Sequence, residues 1–170
     1  MATLVVTVGM GRWPFDRLVS AVGRLAGDHD VFVQTGTSSV QPPCSWKRYI
    51  APSELDRRTA EADVVITHAG NTVRTVQRAG LVPVCVAREA SRGEMGNDHQ
   101  VQYLLAEQDT GRAIGVWGDV DALADRLAAV VESHAALAEA LIASRPLPPP
   151  PDLDLAWKHI LDRVEPGGRR

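Results

Sequence analysis

Residues 62–100 read ADVVITHAGNTVRTVQRAGLVPVCVAREASRGEMGNDHQ, and this stretch decides the fold. It opens with the apolar β-branched run VVI, which predicts a buried strand at residues 64–66. A short loop of small and polar residues follows, and helix-compatible residues then continue over 73–78 until Gly80. A helix that begins directly after a buried strand exposes free backbone N–H groups. The stretch therefore predicts a site for an anion such as a diphosphate.

The same alternation of strand and helix continues on both sides of this stretch. Apolar runs that end in glycine or small polar residues are typical of strands buried on both faces of a parallel sheet. Further strands are predicted at residues 4–8, 31–34, 83–86 and 113–117, with a short one near Trp46, Tyr49 and Ile50. Helices are predicted after Pro14, at 54–61 with Ser53 as N-cap, from about Asp98, and after Asp119 or Asp121. This pattern predicts an α/β fold with a doubly wound, Rossmann-like parallel sheet.

Two of these helices have an apolar face at three- and four-residue spacing. The helix from about Asp98 is expected to pack through Val101, Leu104 and Leu105. The long helix near the end of the sheet is expected to pack through Leu123, Leu127, Val130, Val131, His134 and Leu141. Both helices should therefore lie against the sheet.

The last part of the chain differs in composition from the rest. Residues 1–145 are predicted to form one domain, because 170 residues are enough for one core and too few for two. Residues 146–152 form a proline-rich connector, 153–164 carry apolar residues at helical spacing, and 165–170 are expected to be a disordered tail. The helix predicted at 153–164 must dock its apolar face, either on the chain's own sheet or on a partner.

The composition is that of a soluble globular protein, with 45% hydrophobic and 23% charged residues. The net charge of −3 predicts no positive patch, so we expect no nucleic-acid partner. No apolar run approaches the roughly 20 residues of a membrane helix, and we expect no direct membrane span. Cys44 and Cys85 lie in different kinds of segment, and Cys85 is interpreted as a small apolar residue of a buried strand, which favours a reducing cytoplasm. No Cys/His spacing is typical of zinc, so we expect a site without a metal. The start MATLVV is interpreted as a strand rather than a signal peptide.

Ligands of parallel α/β sheets bind beyond the carboxyl ends of the strands. The loops at that edge are residues 9–13, 35–39, 67–72 and 88–100. The last loop contains Gly93 and Gly96 and is expected to move. Arg88 and Arg92 in this loop are candidates for neutralising a diphosphate, although solvated loop arginines are the commoner case.

Five stretches along this edge resemble one group of enzymes. They are VTVG at 6–9, PFDRLV at 14–19, VFVQTG at 31–36, ADVVITHAG at 62–70 and NDHQ at 97–100, in unbroken order. Their order and spacing resemble the donor-binding, C-terminal half of GT-B glycosyltransferases, and most closely the small subunits of split, two-chain enzymes. Those subunits include PssE-like and EpsF-like proteins of bacterial polysaccharide biosynthesis and the catalytic subunit of the dolichol-linked chitobiose transferase. MurG-like enzymes, which carry both halves in one chain, are more distant.

The resemblance implies that the chain is a single GT-B half-domain that binds a nucleotide sugar. A UDP-sugar is the expected donor, with no cofactor and no metal. The residues that the resemblance implies for binding are Gly9, Met10, Gly11, Thr37, His68, Gly70, Asn71, Thr72, Thr75, Asp98, His99 and Gln100. His68 is the best candidate for a catalytic role.

These residues also have structural interpretations. His68 can satisfy hydrogen bonds in the core, and Gly9 and Gly11 can permit close helix packing. Asn71 and Thr72 are favoured in turns and helix caps whether or not a ligand binds there. Residues 98–100 can simply begin a helix. A cap and a phosphate site are compatible, so the alternatives remain open at this point.

The loop at His68 departs from the pattern of these enzymes. They have HAG-x-G-S followed by a Glu on the same helix, which the resemblance assigns to the ribose. This chain has HAGNTV and no Glu from His68 to Arg88, and Thr75 or Gln77 lies near that position. The loop GMG at 9–11 likewise replaces a more usual Gly-Thr pair. An alternative hypothesis is therefore a catalytically impaired homologue that acts as a scaffold or stabilising subunit.

A GT-B enzyme closes two halves over a cleft, and this chain has the length of one. The resemblance implies a membrane-anchored, acceptor-binding glycosyltransferase subunit as partner. It implies a hexosyl or N-acetylhexosaminyl transferase that is active as a heteromer. We accordingly expect a cytoplasmic protein that is peripheral to the membrane through its partner.

Overall fold

The computed structural model describes residues 1–144. The predicted connector at 146–152, helix at 153–164 and tail at 165–170 lie outside the described residues. The strands are β1 Thr3–Thr7, β2 Asp30–Gln34, β3 Ser45–Lys47, β4 Val64–His68, β5 Val84–Val86 and β6 Ile114–Gly115. They form one six-stranded sheet in the order β3-β2-β1-β4-β5-β6, and all neighbouring strands run parallel. The predicted Rossmann-like parallel sheet is confirmed.

Helices cover both faces of this sheet. They are α1 Asp16–Gly23, α2 Pro52–Glu61, α3 Thr72–Arg78, α4 His99–Asp109 and α5 Val120–Ser144, with 3₁₀ turns at Arg24–Gly27 and Ala90–Arg92. On one face α1 and α5 pack together over Leu4 and Val6 of β1. On the other face α3 packs over Val5 and Val65, and α4 packs over Cys85. The molecule therefore has three layers, with the sheet in the middle.

Burial on both faces explains why the strands read as continuous apolar runs. Successive side chains of a strand point to opposite faces. In β1 the exposed fractions of Leu4, Val5 and Val6 are 0%, 3% and 0%, so both faces are covered. Each such side chain contributes about 1.5–3 kcal/mol when it is removed from water.

Several local predictions differ from the structure. The short strand predicted near Trp46, Tyr49 and Ile50 is β3, which ends at Lys47. Val8 lies just beyond β1, although it is buried there. The predicted Ser53 cap is wrong, because α2 already begins at Pro52, with Ala51 in the capping position. Proline suits the first helical position, where no N–H partner is available in any case. The prediction that Leu105 packs is also wrong, since this side chain is 50% exposed while the adjacent Leu104 is buried.

Helix α5 has a buried first half and a more exposed second half. Asp119 caps it by accepting a hydrogen bond from the backbone N–H of Ala122 at 3.0 Å. Leu123 and Leu127 are fully buried, whereas Leu137 and Ile142 are 39% and 53% exposed. By length and composition alone α5 is the one described helix that could cross a membrane. Its first half packs against α1, and 17% of its most apolar window is buried.

Candidate functional site

The strand order brings two of the predicted site loops together. β1 and β4 are neighbours, with Thr7 paired to Thr67. The later strands are added in opposite directions from this pair, with β2 and β3 beside β1 and with β5 and β6 beside β4. In open α/β sheets this switch point leaves a crevice beyond the carboxyl ends of the strands. Gly9 follows β1 and His68 ends β4, so both lie at the crevice.

The imidazole of His68 lies between Gly9 and Gly70. A Cβ atom on Gly9 would lie 2.6 Å from His68 Cε1, and a Cβ atom on Gly70 would overlap His68 Nε2. Gly9 also has a φ of +79°, which side-chain-bearing residues rarely adopt. For Gly11 no atom lies within 4 Å of such a Cβ. Gly9 and Gly70 are therefore required by the His68 ring, and Gly11 is not.

His68 is electrically neutral at physiological pH. Burial lowers its pKa to about 4, the nearby Arg88 guanidinium lowers it as well, and a hydrogen bond with the Thr7 backbone acts in the opposite direction. Its Nδ1 lies 3.5 Å from the Thr67 hydroxyl, which is a loose contact. The ring can therefore donate or accept a hydrogen bond, but it does not carry charge into the crevice.

Arg88 is a buried cation beneath the loop that follows β1. Its side chain is almost fully enclosed, and Nη2 donates to the carbonyl oxygens of Val8 at 2.8 Å and Trp13 at 3.2 Å. Its guanidinium lies 4.6 Å from the Phe15 ring centroid. Burial lowers its pKa to about 10, so it remains charged at neutral pH. Arg88 thus fastens the Gly9 loop to the end of β5, instead of projecting from a mobile loop.

An open cavity of about 290 Å³ adjoins the loop after β4. It is lined by Ala69, Gly70, Asn71, Arg74, His99 and Tyr103. The structure therefore brings together three of the predicted site residues, Gly70, Asn71 and His99. A larger cavity of about 310 Å³ lies beside the first residues of β1 and β2, on the opposite edge of the sheet. The smaller cavity is the better candidate site because it lies where parallel sheets bind ligands.

Arg74 and Tyr103 are site residues that the sequence did not reveal. Arg74 Nη2 lies 3.1 Å from Glu107 Oε1, and the Arg74 side chain is 53% exposed while that of Glu107 is 7% exposed. The guanidinium also lies 5.8 Å from the Tyr103 ring centroid. Burial, with Glu107 as a further cause, raises the pKa of the Tyr103 phenol. These contacts join α3 to α4, and no short motif contains both partners.

Several other predicted site residues are engaged in contacts outside the cavity. Gln100 is buried, and its Oε1 accepts a hydrogen bond from the Arg88 backbone N–H at 3.2 Å. Asp98 Oδ1 accepts from the Ala90 N–H at 2.8 Å, and Thr37 Oγ1 donates to the Gly11 carbonyl at 3.1 Å. Their first role is therefore to hold loops together at this edge.

Two α3 residues near the position of the Glu that this chain lacks also make hydrogen bonds within the protein. Gln77 Nε2 donates to Glu107 Oε2 at 2.7 Å, and Thr75 Oγ1 accepts a long hydrogen bond of 3.5 Å from Arg78. Asn71 occupies the N-cap position of α3, but its side chain makes no capping hydrogen bond. Thr72 begins α3, and Met10 is 74% exposed on the loop after β1. The Asn71 amide is therefore available to a ligand in the cavity.

No three His, Cys, Asp or Glu residues among the described residues 1–144 form a group that could hold a metal ion. Independence from metals stays a prediction.

No protein-family model matches the chain, and no curated protein is significantly similar to it in sequence. Similar solved structures include MurG of Acinetobacter baumannii, with 20% identity and a TM-score of 0.60 over 95% of this chain and 49% of that chain. They also include CalG4, the calicheamicin glycosyltransferase, with 16% identity and a TM-score of 0.57 over 96% of this chain and 44% of that chain. The chain thus spans about half the length of each. At this identity the likeness establishes the fold, which is that of one half of a GT-B glycosyltransferase.

Proposed function

We propose that this chain is the donor-binding half of a glycosyltransferase, with a nucleotide sugar, and specifically a UDP-sugar, as its ligand. The observation that carries the proposal is the cavity beside the loop after β4, which Gly70 and Asn71 line together with the exposed Arg74. Two glycosyltransferases share the fold, which supports the same class of chemistry. A cation beside free backbone N–H groups suits a diphosphate.

In this proposal the chain contributes positioning and electrostatic stabilisation of the leaving diphosphate. Negative charge develops on that group as the glycosidic bond breaks, and fixed N–H groups near Gly70 together with Arg74 stabilise it. Neutral His68 contributes a hydrogen bond rather than a charge. His99 and Tyr103, at the other side of the cavity, contact the sugar. Thr72 and Gly11 remain candidates for contacts with the phosphates.

We propose that the acceptor-binding half lies on a separate, membrane-anchored subunit, as in the split, two-chain enzymes that the five stretches resemble. The protein would then act in the cytoplasm, peripheral to the membrane through that partner. Polysaccharide biosynthesis is the expected setting, with a hexose or N-acetylhexosamine as the transferred sugar.

Calorimetric titration with UDP and a panel of UDP-sugars tests the proposal. Replacing Arg74 by Gln should weaken UDP binding about tenfold, which is the value of one exposed charge-assisted contact. Arg57→Gln is the matched control, because Arg57 is similarly exposed and paired with Glu61 on α2, away from the cavity. If no nucleotide binds, either to the chain alone or to the chain with its acceptor subunit, the proposal is wrong.

A second candidate function is a scaffold that stabilises an acceptor subunit. The observation in its favour is the absence of any carboxylate among the residues that line the cavity. Replacing His68 by Asn and Asn71 by Ala in the assembled complex separates the two functions. A loss of transferase activity supports donor binding, and full activity supports the scaffold.

A further inference from the structure

Arg17 is a buried arginine on α1 that contacts three other parts of the chain. Its side chain is 7% exposed. Nε donates to Glu94 Oε1 at 2.7 Å, and Nη2 donates to Glu94 Oε2 at 2.8 Å, which makes a two-bond pair. Nη2 also donates to the Ala87 carbonyl at 2.9 Å, and Nη1 donates to the Gly118 carbonyl at 2.7 Å. One guanidinium thus joins α1 to the ends of β5 and β6.

These contacts are strong because their geometry and burial are both favourable. A guanidinium presents its donors in a planar fork that matches a carboxylate, and an ammonium group cannot reproduce that match. The Glu94 side chain is 11% exposed, so little water competes for the pair. Removing one partner would leave the other as an uncompensated buried charge.

Glu94 and Glu89 also make contacts within segment 87–98 itself. Glu94 Oε2 accepts a hydrogen bond from the Glu89 backbone N–H at 3.1 Å. Glu89 is paired with Arg17 at 3.3 Å and with Arg92 at 3.0 Å. The loop that the glycines predicted to be mobile therefore has a dense set of internal contacts.

The segment 87–98 leads directly into α4, which carries part of the candidate site. The Ala90 N–H donates to Asp98 immediately before α4, and the Arg88 N–H donates to Gln100 in its first turn. His99 and Tyr103 on the same helix line the cavity. The position of this side of the cavity is therefore set by the segment that Arg17 holds.

We propose that Arg17 is a positioning residue, which holds segment 87–98 and the start of α4 in the arrangement that the cavity requires. Arg17 does not line the cavity and acts through Glu94, Glu89 and the backbone of Ala87. The effect on nucleotide binding rests on the proposed function. The effect on the position of the segment does not.

The test compares Arg17→Lys with Arg24→Lys. Arg24 is the matched control, because it also lies between α1 and α5, where it pairs with Asp121, but its side chain is 54% exposed. Hydrogen exchange is measured by mass spectrometry on peptides that cover residues 88–100 and, separately, the strands. The affinity for UDP is measured by calorimetry well below the melting temperature of each variant, so that all protein is folded.

Arg17→Lys keeps the charge and loses the fork, so exchange over residues 88–100 should become about tenfold faster while exchange in the strands is unchanged. The UDP dissociation constant should rise about tenfold. Arg24→Lys should leave both quantities at the wild-type value. Glu94→Gln is a second variant with the same expected pattern, and it keeps the test decisive if Arg17→Lys does not fold.

Three results would overturn the proposal. If exchange over 88–100 stays at the wild-type rate, Arg17 does not hold the segment. If exchange accelerates equally in the strands, Arg17 is a general stabilising residue. If exchange over 88–100 is faster but the UDP affinity is unchanged, the position of the segment does not affect the cavity. If the wild-type protein binds no nucleotide, the proposed function fails, and the exchange rates still decide whether Arg17 holds the segment.

Discussion

The neutral imidazole of His68, which lies between Gly9 and Gly70, makes the stability of the fold depend on pH. Its pKa in the folded protein is about 4, below the ordinary value of 6.5. Between these two values the unfolded chain binds more protons than the folded chain. The free energy of unfolding therefore rises with pH in this window. The contribution of His68 to it is lost as the pH falls towards 4.

The size of this effect follows from the two pKa values. The His68 pKa is 6.5 in the unfolded chain and about 4 in the folded chain. Protonation of His68 in the unfolded chain therefore lowers the free energy of unfolding by about 2 kcal/mol between pH 7.5 and pH 5. By pH 4 the loss reaches about 3 kcal/mol, a large part of the stability of an ordinary domain. Carboxylates also titrate at the acidic end, so the informative quantity is the difference between wild type and a variant without this imidazole.

His68→Asn supplies that difference, because an amide does not titrate. The free energy of unfolding is measured by urea denaturation, followed by circular dichroism, at several pH values between about 7.5 and 5. Across this range it should fall by about 2 kcal/mol less for the variant than for wild type. The variant will be less stable overall because the ring packs between Gly9 and Gly70, but the slope is independent of that loss. An equally steep curve for His68→Asn would refute the assignment of the pH dependence to His68.

Two further predictions concern packing, and both are checked by denaturant unfolding at pH 7.5. Gly9→Ala and Gly70→Ala should each cost roughly 1–3 kcal/mol, because the new methyl group meets the His68 ring, while Gly11→Ala should change stability by less than about 0.5 kcal/mol. Equal costs at all three glycines would contradict this role of the ring. Leu123→Ala should cost about 2–5 kcal/mol, because the side chain is fully buried, whereas Leu137→Ala on the exposed half of α5 should cost much less. Similar losses for the two leucines would mean that the second half of α5 packs on something outside residues 1–144.

The sheet was predictable because its strands leave a strong one-dimensional signal. Each strand is buried on both faces, so an uninterrupted run such as VVI at residues 64–66 identifies it without knowledge of its neighbours. The position of the site at the loop after β4 follows from the same pattern, since strand ends in a parallel sheet share one edge. The Ser53 cap failed because proline at the preceding residue competes for the start of the helix.

The lining of the candidate site was harder to predict, because it depends on contacts between distant residues. Arg74 looks like any solvated helix residue until α4 brings Glu107 beside it. Leu105 looks like a core residue, although the rotation of α4 leaves it in solvent and buries Leu104. The structural interpretation of Gly9 also needed the three-dimensional neighbour, since nothing in the sequence places His68 beside it. Periodicity reports the faces of single elements, and it does not report which side chains meet across elements.

The contacts of Arg17 reach residues 77 and 101 positions further along the chain. The first helix therefore obtains its buried charge partners only when the segment after β5 is present, and its last carbonyl acceptor only after β6. An N-terminal fragment that ends at β4 would hold this arginine against apolar surface without Glu89, Glu94 or the two carbonyl acceptors. The second half of the sheet therefore supplies every hydrogen-bond acceptor of the Arg17 guanidinium described above.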